Sequence, residues 1–160
     1  MAYHKAVLPV AKIYSKKHLT TKHKIMALFG ALGNYKNFGL LIIRLGLGGM
    51  FIYHGWPLLT GGVKTWEGLG ESTKYVGIHF LPVVWGLLAA LVETVGGFLI
   101  IIGLAFRPVC LLFVITLVVA AFSHFGKGGN LGDASQAIEN AVMFAGLLFL
   151  GPGKYSADKK

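Results

Sequence analysis

The sequence predicts an all-α integral membrane protein, a four-helix bundle with both termini in the cytoplasm, and three observations predict it. Apolar residues make up 55% of the 160 residues and charged residues only 13%, about half the charged share of a soluble domain. The apolar residues arrive in four blocks, each near the ~20 residues that cross ~30 Å of hydrocarbon at 1.5 Å per residue. The basic residues concentrate between and beyond those blocks in a way that assigns them a side of the membrane.

The elements follow in order. Residues 1–36 hold seven lysines and three histidines with no Asp or Glu, which reads as a basic cytoplasmic or interfacial arm drawn to anionic lipid. A docking arm for a partner subunit is the alternative. Residues 37–153 form the membrane domain, with spans expected at about 38–59, 81–104, 108–125 and 134–150. The backbone groups of each must be satisfied internally in lipid, so each is a helix. Residues 154–160 are a polar cytoplasmic tail. The arm, the turn holding Arg107, and the tail with Lys154, Lys159 and Lys160 place positive charge on one side. The connections 60–80 and 125–133 are nearly neutral and are expected outside as loops, with Trp56, Trp66, Tyr75 and Trp85 near the outer boundary. The net charge of +9 is therefore a topology signal, and no nucleic-acid partner is expected. Cys110 is the only cysteine, which excludes a disulfide framework and a thiolate cluster.

Lipid penalises ionisable side chains, yet every span carries one. Arg44 and His54 lie in the first, Glu93 in the second, His124 in the third, and Glu139 with Asn140 in the fourth. A charge at the bilayer centre costs roughly 2.5 kcal/mol or more, so such groups face the bundle and find partners. Small residues at i±3, i±4 and i±7 from them, such as Ala89, Ala90, Gly96 and Gly97 around Glu93, mark the close helix contacts. One expectation is a structural polar network. The functional one is an outer-half pocket in which His54, His124, Arg44 and Asn140 bind a quinone or form the polar network, while Glu93 and Glu139 relay protons. A neutral imidazole beside a carboxylate accepts hydrogen bonds and moves protons near pH 7. Haem held through His54 and His124 is the alternative cofactor. No other metal site is expected, since the Glu-x-x-His spacing of di-iron bundles is missing. A solute or ion pathway lacks the repeat and broken-helix signals of transporters.

Three stretches, "RLGLGGMFIYHGWPLLTGG", "LAALVETVGGFLIIIGLAFRP" and "ENAVMFAGLLFLGPGKYS", together resemble the DoxX family over about residues 38–156. The resemblance implies a four-helix membrane fold, and places His54, Glu93, His124 and Glu139 on the family's polar positions. It also implies association with a terminal quinol oxidase or a thiosulfate:quinone oxidoreductase for some members, and with complexes containing detoxifying enzymes for others. The long basic arm departs from the family's usual short N-terminus. The expected function is thus a subunit or accessory protein of a quinone-linked electron-transfer complex in a prokaryotic cytoplasmic (inner) membrane, multi-pass. Its partners would be membrane lipid and other membrane or respiratory subunits, and it would not be a complete enzyme alone. The alternative is a non-catalytic scaffold or assembly subunit.

Overall fold

The computed structural model describes Gly30 and residues 33–158. Most of the basic arm lies outside the described residues, as do the last two lysines. The chain divides into two units, Met1–Asn37 and Phe38–Lys160. The description below concerns the second.

Among the described residues every regular element is helical. A 3₁₀ turn at Gly33–Tyr35 leads into α1 (Lys36–Thr60), then α2 (Val63–Gly70) and a 3₁₀ segment (Glu71–Val76). Three long helices follow: α3 (Pro82–Ile102), α4 (Phe106–Gly126) and α5 (Leu131–Leu150). Three stretches are long and apolar enough to cross a membrane: Gly33–Thr60, Pro82–Ile102 and Phe106–Gly126. The expectation of four such spans is narrowed here. The fourth expected segment is helical, but its first half carries Asp133, Gln136, Glu139 and Asn140, and those residues dilute its hydropathy.

Local chemistry sets the helix ends. Pro82 opens α3 at a position where its missing N–H costs nothing. Gly103 ends it in the left-handed region (φ 68°), where its N–H and that of Leu104 reach back to Leu99 O at 2.8 and 3.0 Å. Asn130 and Asp133 form a reciprocal capping box at the start of α5. Asn130 Oδ1 accepts from Gly132 N at 2.7 Å, and Asp133 Oδ2 accepts from Asn130 N at 2.8 Å.

The helices meet through small and aromatic residues. Gly48 and Gly55 lie seven residues apart on one face of α1 and set it against α3. A methyl group on Gly48 would sit 2.7 Å from Gly97 O, and one on Gly55 2.6 Å from Thr94 Oγ1. Backbones this close leave no room for a side chain. Below that contact Phe51, Phe113 and Phe144 from α1, α4 and α5 share one cluster. Phe113 and Phe144 stack with centroids 4.3 Å apart, and Phe51 meets Phe113 edge-on at 4.6 Å. Both are geometries that aromatic quadrupoles favour.

The connection 60–80 differs from the loop expected of it. Trp66, Leu69 and Gly70 share one face of α2 at i, i+3 and i+4 spacing, and this face packs on the first turns of α3. Gly70 and Gly86 approach so closely that a Cβ on either would overlap a carbonyl of the other helix. Trp66 Nε1 donates to Leu58 O at 3.0 Å, and Ser123 Oγ pairs with Ser72 Oγ at 3.2 Å. The segment is therefore a docked helical cover.

Candidate functional site

At the end of α1 that holds His54, four long helices frame a cavity of about 390 Å³. Helix α1 presents Leu47, Met50, Phe51 and His54 to it, and α5 presents Asp133, Gln136, Ala137 and Asn140. Each set follows the i, i+3, i+4, i+7 spacing of one helix face. Helix α4 adds Leu117 and His124, seven residues apart, and α3 adds Glu93. Phe51, from the aromatic cluster, and Leu117 give the cavity an apolar side. Nearer the helix ends the wall is polar, with His124 close to the last turn of α4 and Asp133 in the first turn of α5.

Four residues predicted for the pocket, His54, Glu93, His124 and Asn140, come together on this wall. They do so from four different helices. Asn140 Nδ2 donates to Gln136 O at 2.9 Å, so its amide oxygen remains for another partner. The described structure contains no hydrogen bond between the side chains of His54, Glu93 and His124. Their polar atoms border the cavity without bonding one another. The set offers two imidazoles, two carboxyls and two carboxamides to whatever fills the space. Such groups can donate, accept and move protons.

Two other predicted residues are placed elsewhere. Glu139 is exposed on the outward side of α5 with Val142 and Met143, because it sits about 100° around the helix from Asn140. Arg44 lies at the opposite end of α1, 1% exposed. Its Nε donates to Ile100 O at 2.9 Å and its Nη2 to Ile101 O at 2.6 Å. Its Nη1 donates to Pro152 O at 3.0 Å and Tyr155 O at 2.7 Å. A cation there satisfies the Ile101 carbonyl, shares that of Ile100 with the Gly103 N–H, and complements the helix dipole. It also ties down the segment after α5. The sequence reading puts Arg44 in the outer-half pocket; the structure gives its guanidinium to backbone carbonyls at the other end instead.

The same segment caps α4. Asp158 Oδ1 and Oδ2 accept from Ala105 N at 3.0 Å and Phe106 N at 2.9 Å, while Ala157 N and Asp158 N bond Ile102 O and Gly103 O. Ala105 takes a left-handed conformation (φ 48°) at this junction. Sequence reasoning missed Gln136 and Asp133 as wall residues, although both lie on the Asn140 face at helical spacing. Among the described residues no group of three or more His, Cys, Asp or Glu side chains is arranged to hold a metal ion.

The family model for DoxX matches residues 39–126, more than half of the chain, and stops before α5. A Bacillus subtilis (strain 168) protein named "Putative oxidoreductase CatD" is 30% identical over 96 residues, 60% of this chain. That alignment spans just under two thirds of the relative's own length, 66%. "Inner membrane protein YphA" of Escherichia coli (strain K12) is 27% identical over 129 residues, 76% of this chain and 89% of that protein. No solved structure matches the chain. With its polar cavity among apolar helices and a matched region running from α1 through α4, the chain belongs to the DoxX family of membrane proteins.

Proposed function

We propose that the chain is a membrane subunit or accessory protein of a quinone-linked electron-transfer complex, with the His54–Glu93–His124–Asn140 pocket serving its quinone chemistry. One observation carries the reading. Polar side chains from four helices border a 390 Å³ cavity, where a purely structural network would spend them on bonds to each other. The cavity falls within the roughly 300–1,000 Å³ of small-molecule sites. A quinone needs donors to its carbonyls and acceptors for the protons of its reduced form, and imidazole next to carboxyl supplies both. The name of the Bacillus relative points towards redox chemistry, and that of the Escherichia relative towards an inner membrane. No carrier of electrons belongs to this set of residues, so a partner subunit would hold it.

In this reading α5 crosses the membrane as a fourth span. It pairs closely with α4 and returns to the end where Arg44 holds residues 152 and 155. That end faces the cytoplasm with Arg107 and the tail lysines, and the pocket opens towards the other side. The bilayer is the cytoplasmic membrane of a prokaryote.

The test is purification in mild detergent, with extraction and identification of bound quinone, a visible spectrum, and identification of co-purifying polypeptides. Quinone held by the wild type is the expected result, with His54→Ala and His124→Ala together slowing proton release from it. A Soret band that disappears with the same pair would replace quinone by haem. A stable partner with neither would make the protein a scaffold.

A further inference from the structure

We propose that a lipid-soluble quinone sits in a second, apolar chamber on the other side of Glu93, and that the polar pocket is the outlet for its protons. The inference rests on the quinone reading above and assigns the ring a different seat within it. The chamber has a volume of about 310 Å³ and runs between α3 and α4 beneath α2 and the 3₁₀ segment. Leu88, Val92, Leu112, Ile115 and Val119 give it an apolar wall. Glu93 is the one ionisable residue on that wall, and the one residue that lines both cavities.

The hydroxyls nearby are already engaged. Thr73 Oγ1 donates to Gly70 O or Ile78 O, Thr116 Oγ1 donates to Leu112 O, and Ser72 pairs with Ser123. The Glu93 carboxyl and the indole N–H of Trp85, which has no hydrogen-bond partner, are therefore the polar groups left to meet a ligand oxygen. Leu88, Leu112 and Ile115 are 45%, 46% and 52% exposed and lie on two helices apolar enough to span the membrane. Their exposed faces meet hydrocarbon, so the chamber opens sideways into lipid. The polar pocket opens near the helix ends, where His124 and Asp133 reach water.

Quinones dissolve in lipid and protons move in water, and a carboxyl on the boundary serves both. When a hydroquinone is oxidised there, each O–H bond that breaks gives its proton to the Glu93 carboxylate. Glu93 passes it to an imidazole nitrogen of His54 or His124 before accepting the second. The two electrons leave one after the other to a one-electron acceptor, a haem or iron–sulfur centre, of a partner subunit.

The test uses the full chain in lipid nanodiscs with a photoreactive isoprenoid quinone, followed by peptide mapping. Label competed by unlabelled quinone is expected on residues 69–78 and 85–92. Ala89→Trp, which fills the chamber, should cut labelling at least tenfold. If that variant does not fold, Ala120→Trp fills the same space from α4. Competed label on α1 and α5 at 47–54 and 133–140 would overturn this location while leaving the quinone reading intact. Label that unlabelled quinone does not compete would overturn both.

Discussion

Two ends of one set of helices hold ionisable groups and use them in opposite ways. At the Arg44 end each polar group has a partner: the guanidinium donates to four carbonyls, and the Asp158 carboxylate accepts from two amides. At the His54 end the side chains of His54, Glu93, His124 and Gln136 border a cavity without bonding one another, while Asp133 caps α5 and Asn140 donates to Gln136 O. The residue types alone do not separate these cases. What separates them is whether the hydrogen-bonding capacity is spent. A saturated group is mortar, and removing it leaves buried partners stranded. An unsaturated group beside open space can serve a ligand.

The largest effect should come from breaking the saturated end. Arg44→Leu strands the carbonyls of Ile101, Pro152 and Tyr155, leaves that of Ile100 with only the Gly103 N–H, and is expected to cost about 3–5 kcal/mol. Unfolding in mixed detergent with SDS measures it, alongside faster proteolysis after Gly151. Arg44→Lys should recover only part of the loss, because an ammonium lacks the planar fork that reaches several carbonyls at once. Wild-type stability in Arg44→Leu would erase the contrast between the two ends.

At the open end the expected pattern reverses. Glu93→Gln keeps the shape and removes the proton carrier, so quinone-dependent turnover of the assembled complex should fall by about 100-fold, with stability within about 1 kcal/mol of wild type. A stability loss as large as that of Arg44→Leu would make Glu93 a structural group after all. Asp158→Ala should cost about 1 kcal/mol, the usual worth of a helix cap. Amide exchange at Ala105 and Phe106 would report it. The smallest effect is expected of Glu139→Gln, within about 0.5 kcal/mol in stability and with unchanged quinone retention. Loss of retention there would return Glu139 to the pocket.

The inward side of Glu93 and His124 was legible because small residues stand at i±3 and i±4 from each, Ala89, Ala90, Gly96 and Gly97 around the first and Ala120 and Ala121 before the second. The same reasoning placed Glu139 inward through Met143 and Gly146, and the structure exposes it, because it sits about 100° around the helix from Asn140. Arg44 was harder. Its carbonyl partners at 152 and 155 lie more than a hundred residues away, and backbone acceptors leave no mark in composition. The α2 cover was hidden for a related reason. Gly70 and Gly86 look like any other glycines until two helices press together at them.

By itself the sequence determined that the chain is helical and membrane-bound, because hydropathy and charge placement act residue by residue against a solvent of fixed thickness. Helical periodicity narrowed which side chains could turn inward without deciding it, as the exposed Glu139 shows. Only the tertiary structure decided which polar groups are consumed by neighbours and which are left beside a cavity. Hydrogen-bond saturation depends on atoms brought together from distant segments.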